Sequence, residues 1–224
     1  MTLPHAYSDA EREALWRTLR ERRDMRHFQP TPLPEGVLER LVLAAHLAPS
    51  VGYMQPWRFI RLTDPGLRQA VCALVEEERL ATATTLPSRK AEFLKVKVEG
   101  LSECPEVLAV ALMPQREAHI FGRRTMPDMD LASVGCAIQN MWLAARAEGI
   151  GMGWVSFFDP EALAHLLALP QGARPVALLC LGQVEAFYPR PMLETQGWGQ
   201  RLNLDAVLFE NRWPEGVGGT PPAY

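Results

Sequence analysis

Apolar positions recur at helical spacing over residues 8–22, where Ala14, Leu15, Trp16 and Leu19 follow Ser8 or Asp9 as N-cap. A second helix is predicted from Glu35 to Ala48. There Val37, Leu41, Ala44, Ala45 and Ala48 share a face, and Pro49 stops the run. Between the two, Pro30, Pro32 and Pro34 forbid regular structure, and Phe28 turns inward. Residues 57–62 (Trp57-Arg58-Phe59-Ile60-Arg61-Leu62) alternate as a strand does. Charged amphipathic helices are predicted over 65–82 and 88–103, joined by Thr82–Pro87. Val107–Met113 is continuously apolar, the mark of a buried central strand.

An irregular excursion over 114–129 carries Arg116, Arg123 and Arg124. Asp130 is then the expected cap of a long uncharged helix, with Leu131, Val134, Ile138, Met141 and Ala145 on one side and Gly149 at its end. Residues 152–158 follow, then a short helix from Asp159-Pro160 through Leu169 and a buried strand over Val176–Leu181. Beyond Gly182 the chain is loop-rich, with a last helical turn at Leu204–Phe209 and a loose Gly/Pro tail over about 214–224. Few strands, several helices and no regular β-α alternation predict an α+β domain with a mixed sheet. A chain of 224 residues fits one domain, 1–224.

Composition narrows the picture. Apolar residues make up 48% and charged residues 22%, ordinary globular values. A net charge of −3 leaves no broad basic face for nucleic acid. Four separated cysteines (Cys72, Cys104, Cys136, Cys180) and five scattered histidines predict neither a disulfide framework nor a metal site. No apolar signal core opens the chain, and the long uncharged run Leu131–Ala145 is too short to span a bilayer. The expectation is a cytoplasmic protein with no membrane partner.

Candidate chemistry concentrates in Arg22-Arg23-Asp24-Met25-Arg26. Arginine presents a rigid fork of donors suited to a phosphate or a carbonyl edge. On charge alone the cluster also reads as a solvated basic helix end, with Asp24 a simple salt-bridge partner. Gly149-Ile150-Gly151-Met152-Gly153 follows a helix, and Trp154 stands where the last glycine of a dinucleotide fingerprint belongs, so a Rossmann site is rejected.

The arginine segment and Ala48–Ile60 together resemble the FMN-dependent nitroreductase family, over about residues 12–213. Most members of the family carry Arg-Arg-Ser and P-S-x-x-N-x-Q-P-W. Here Asp24 replaces the serine and the second segment reads P-S-V-G-Y-M-Q-P-W. Both departures match a branch of the family that consumes reduced FMN. The resemblance implies a three-layer α+β fold, a mixed, mostly antiparallel sheet flanked by helices, and an intertwined homodimer with flavin at the subunit interface. The long uncharged helix is the candidate dimer seam. The implied reaction is oxygen-dependent fragmentation of reduced FMN to 5,6-dimethylbenzimidazole and erythrose 4-phosphate, for the lower ligand of vitamin B12. O2 is then a co-substrate, and NAD(P)H enters only through a separate flavin reductase.

By the same resemblance, Arg22, Arg23, Arg26 and Arg190 hold the phosphate and polar edge, and Pro49 and Ser50 lie on a flavin-contacting loop. Gly153, Trp154, Val155 and Ser156 run beside the ring. Met54, Trp154 and the helices of 65–103 exclude water, although those helices also read as a dimer-facing arm or as plain surface. Lys95, Lys97 and Glu99 lie where the family brings a helix near the flavin, without assigned roles. Asp24 is the candidate proton acceptor and Ser156 the candidate second catalytic group. Two other readings stay open: an NAD(P)H-dependent nitroreductase or flavin reductase, and a non-catalytic FMN-binding protein.

Overall fold

The computed structural model describes residues 3–214. Helix α1 (Asp9–Glu21) starts at Ser8, whose hydroxyl accepts from the Glu11 amide while Glu11 accepts from the Ser8 amide. This reciprocal cap selects Ser8 over Asp9, which sits in the first turn. Leu15, Trp16 and Leu19 remain exposed, so the apolar side of α1 is uncovered in the single chain.

The chain continues through α2 (Val37–His46), β1 (Trp57–Arg61), α3 (Pro65–Thr84), α4 (Lys90–Phe93), β2 (Glu106–Leu112), α5 (Met129–Ala147), β3 (Gly151–Val155), α6 (Pro160–Leu166), β4 (Arg174–Gly182) and α7 (Met192–Thr195). The four strands form one sheet in the order β1-β2-β4-β3, every neighbouring pair antiparallel. The parallel component is a single bridge, Asp24 to Met152, with the Met25 amide donating to the Met152 carbonyl at 3.0 Å.

Alternation along the strands feeds two cores. Leu108, Val110, Leu179 and Leu181 pack with Leu41 and Ala45 of α2 and with Val134, Ile138 and Met141 of α5. On the other face, Val107, Ala109, Leu178 and Cys180 pack with Val71 and Val75 of α3 and Leu163 of α6. Helices on both sides explain why β2 and β4 read as unbroken apolar runs. Among the described residues no helix is long and apolar enough to cross a membrane.

The helix expected over 88–103 is a correction: only Lys90–Phe93 is helical. Beyond it Val96, Val98 and Gly100 are buried while Lys95, Lys97 and Glu99 alternate outward, a period of two that overrides the helical one. A Cβ on Gly100 would fall within 3.0 Å of the Phe28 ring, so the segment is extended partly to seat that ring. A second correction concerns α5, whose N-cap is Asp128. Asp130 is instead buried inside the first turn, paired with Arg116 at 2.9 Å and Arg123 at 3.0 Å. The expected turn at Leu204–Phe209 is a short 3-10 turn, Leu204–Ala206. The tail expected to be loose lies, from residue 215, outside the described residues.

Leu131 also leaves the face assigned to it, at 37% exposure against 0% for Ile138. Ile138→Ala should therefore cost about 2–5 kcal/mol in denaturant unfolding. Leu131→Ala should stay within about 0.5 kcal/mol.

Candidate active site

Helix α1 ends where Arg22, its C-cap, turns extended, and the next residues run along the free edge of β3. Arg23 braces that turn while still lining the adjoining depression. Its guanidinium donates to the Arg20 carbonyl (2.7 Å), the Arg22 carbonyl (2.8 Å) and, across the chain, the Pro189 carbonyl (2.9 Å). Carbonyls left over at a helix end are thus satisfied, and the late loop is tied to the site. The Arg22 guanidinium lies 4.4 Å above the Trp142 ring, and burial lowers its pKa. Trp142 in turn donates to the Arg23 and Met152 carbonyls, each at 3.1 Å.

Asp24 is held at both oxygens. The Trp154 amide donates to Oδ1 at 2.9 Å, and Arg26 Nη2 donates to Oδ2 at 2.5 Å. The same Nη2 donates to the Trp154 carbonyl at 2.8 Å, which closes a ring of three bonds. Arg26 is only 7% exposed, and its Nε and Nη1 are buried without a partner among the described residues. Each orphan donor costs about 1–3 kcal/mol. Burial pushes the Asp24 carboxyl above the usual range, more than Arg26, the Trp154 amide and Arg22 pull it down.

Two adjoining depressions share Asp24, Met192 and Leu193. One, of about 500 Å³, is lined by Arg20, Arg22, Arg23 and Arg201 with Trp16 and Leu19. The other, of about 330 Å³, is largely apolar: Leu86, Phe93, Val96, Val98, Phe157 and Trp198, with Lys97 and Arg26 at its polar side. Arg89 stacks 3.6 Å above Trp198, and Phe93 meets Trp198 edge-on at 6.2 Å. A cationic chamber and an apolar chamber therefore meet at one carboxylate.

Not every expected residue converges on this junction. Arg190 is exposed and lines neither chamber, although the next residues, Pro191 and Met192, do. Pro49 and Ser50 also line neither chamber. Ser50 accepts from the Gln55 amide (3.0 Å) on a turn packed against Phe121. Met54 is buried. Val155 points into the second core. Ser156 is exposed and, with Trp154, lines a separate depression of about 540 Å³ beside Gly135 and Arg174. Gly153 has a different neighbour from the flat ring expected of it. A Cβ there would fall within 3.0 Å of the Met25 carbonyl oxygen and 3.2 Å from Arg26 Nη1, so this glycine makes room for the arginine segment.

Sequence reasoning missed Arg201, Met192, Leu193 and the site role of Trp198, which sit in the loop-rich end where no periodicity marks a face. Lys97 carried a signal, since it alternates with the buried Val96 and Val98.

Residues 19–183 match the model of the nitroreductase family, and the chain belongs to that family. The Rhodobacter capsulatus protein named 5,6-dimethylbenzimidazole synthase is 40% identical over 198 residues, covering 88% of this chain and 96% of that protein. A protein of the same name from Rhodospirillum rubrum is 40% identical over 182 residues, covering 80% of this chain and 86% of its own. Among solved structures, a BluB-like flavoprotein from Clostridium difficile 630 superposes with a TM-score of 0.67 at 16% identity, over 87% of this chain and 97% of that one.

Two outcomes follow from the geometry. Followed by carboxyl 13C NMR in the ligand-free protein, Asp24 should titrate above an ordinary aspartate. Its proton is then bound more tightly in the folded than in the unfolded chain. This group makes stability fall as pH rises through the window between the two values. Titration at or below the ordinary value contradicts the assignment. Gly153→Ala should displace the 24–26 segment and lower the thermal midpoint by several degrees, whereas an unchanged midpoint would show the pocket around Gly153 to be roomier than described.

Proposed function

We propose that the chain fragments reduced FMN in the presence of oxygen to 5,6-dimethylbenzimidazole and erythrose 4-phosphate, providing the lower ligand of cobalamin. The observation that carries this reading is Asp24 at the junction of a cationic and an apolar chamber, in a chain 40% identical to proteins named for that product. The two chambers suit a ligand with a phosphate at one end and a flat ring at the other. The cationic chamber offers Arg22, Arg23 and Arg201, with Arg190 one residue before the lining Pro191. A cation facing a phosphate at about 4 Å gains roughly 4 kcal/mol at an effective dielectric near 20, before desolvation. The apolar chamber offers Phe93, Phe157 and Trp198 to a ring.

Reduced FMN supplies the electrons and O2 the oxidant. The chain's own part is binding, exclusion of water and proton handling. Leu86, Phe93 and Trp198 keep bulk water from the reacting face. Asp24, held at both oxygens, takes up a proton as the ring and its side chain separate. Ser156, exposed just past the end of β3 in a separate depression, is the second group this reading assigns to orienting a reacting atom.

The active form in this reading is a cytoplasmic homodimer. Leu15, Trp16, Leu19, Tyr53 and Phe121 are exposed in the single chain and supply apolar surface for a second copy. Pro49 and Ser50 then serve the site of the other subunit. A separate NAD(P)H-dependent flavin reductase supplies the reduced FMN.

The direct test is mass analysis of the small molecules left after air meets the protein loaded anaerobically with reduced FMN. Stoichiometric loss of flavin with a benzimidazole product supports the reading. Intact flavin with nitroarene turnover points instead to a reductase, and tight binding with neither points to a flavin carrier. Asp24→Asn should keep FMN affinity within a few-fold and slow benzimidazole formation by about 10²–10⁴-fold. Ser156→Ala should slow it without changing the thermal midpoint; normal kinetics would remove Ser156 from the mechanism.

A further inference from the structure

Two free thiols meet inside the second core, outside the site described above. Cys180 lies in β4, opposite Val107 of β2 and Gly153 of β3, and is fully buried. Cys104 closes the turn that leads into β2, its amide donating to the Gly100 carbonyl at 3.0 Å. The next residue, Pro105, packs tightly on β4: a Cβ on Gly182 would fall 2.6 Å from the proline ring. This contact brings the Cys104 side chain down on β4, where its thiol is hydrogen-bonded with that of Cys180.

The two sulfurs are not equivalent. Cys104 Sγ has the Arg68 Nη2 of α3 at 3.9 Å and the Glu106 carbonyl at 3.2 Å. Arg68 is held in place by backbone, donating to the carbonyls of Leu101 (2.8 Å), Cys104 (2.5 Å) and Pro105 (3.1 Å). The bond from the Cys180 thiol, with help from Arg68, holds Cys104 below the usual thiol range despite its burial. The same bond and its own burial push Cys180 well above that range. A thiolate therefore forms first on Cys104. Access is uneven in the same sense. Cys104 lines a surface depression of about 550 Å³ together with Arg68, Ser102 and Glu103, and Cys180 lies behind it.

We propose that Cys104 and Cys180 form a peroxide-oxidisable dithiol: a hydroperoxide entering the depression beside Arg68 oxidises Cys104, and Cys180 resolves the product to a disulfide. In the first step the Cys104 thiolate attacks one oxygen of hydrogen peroxide. The O–O bond breaks, hydroxide leaves, and Cys104 becomes a sulfenic acid. In the second step the Cys180 sulfur displaces the sulfenic hydroxyl, which departs as water with the Cys180 proton as the S–S bond forms. The two sulfurs give up two electrons between them, and the peroxide takes both. The new bond ties the end of the segment that supplies Val96 and Val98 to the apolar chamber onto the strand beside Gly153. This chemistry needs no flavin and does not depend on the reaction proposed above.

The test treats the reduced, ligand-free full chain with hydrogen peroxide under native conditions and maps the products by mass spectrometry without reduction. Equimolar peroxide should give an intramolecular link between Cys104 and Cys180, lighter by two hydrogens and reopened by dithiothreitol. In Cys180→Ser, Cys104 should be trapped as the dimedone adduct of its sulfenic acid. In Cys104→Ser the link should be lost and Cys180 should stay unmodified. The rate of Cys104 oxidation should rise with pH through a midpoint below that of an ordinary thiol.

Oxidation falling first on the half-buried Cys72 or the exposed Cys136 would overturn the proposal. So would both thiols surviving excess peroxide, a link formed only in denaturant, or a dimedone adduct on Cys180 in Cys104→Ser. Should the serine variants fail to fold, the wild-type map and its pH profile decide alone.

Discussion

The structure depends on a carboxylate set at the junction of two chambers and held there by a buried arginine and a backbone amide. Taking the Arg26 charge out of water costs several kcal/mol, which its attraction to Asp24 repays only with good geometry and further hydrogen bonds. Asp24 and Arg26 have that geometry, because both are also bonded to the backbone of Trp154. The balance remains tilted against the ionised acid, and burial leaves Asp24 easier to protonate than a free aspartate.

The rest of the fold serves that placement. β3 is an edge strand, and its open side accepts the Asp24–Met25 segment, which blunts the edge and fixes the register of the acid. Trp142 reaches from α5 to bind the carbonyls of Arg23 and Met152, so the helix layer braces the same junction from below. Arg23 links the end of α1 to the 187–190 loop, and α7, just beyond, contributes Met192 and Leu193 to the wall shared by both chambers. Elements far apart in sequence thus meet at one side chain.

Much of this was legible in the amino-acid sequence. The unbroken apolar runs of β2 and β4, a cap at Ser8 or Asp9 and the Gly149 stop follow from local rules, and the structure keeps them, with Ser8 as the cap. Residues 94–104 misled because their charges suit a helix, whereas the alternation of Val96, Val98 and Gly100 and the Phe28 ring dictate an extended path. Asp130 misled because an acid before an apolar run resembles a cap, and only the fold brings Arg116 and Arg123 to it. In the site, the arginine–aspartate cluster was visible by residue type. The division of labour within it was not, since nothing local distinguishes an arginine that caps a helix from one buried under a carboxylate. Arg201 and the apolar wall from Trp198 are brought in by loops without a repeating pattern.

The central claim is that Asp24 faces a flavin whose phosphate lies among Arg22, Arg23 and Arg201. Its most direct test is a crystal structure of the protein loaded with reduced FMN without oxygen. The account predicts the ring in the apolar chamber within hydrogen-bonding reach of the Asp24 carboxylate, and the phosphate in the cationic one. A flavin bound elsewhere, or one whose ring lies out of reach of Asp24, would contradict it.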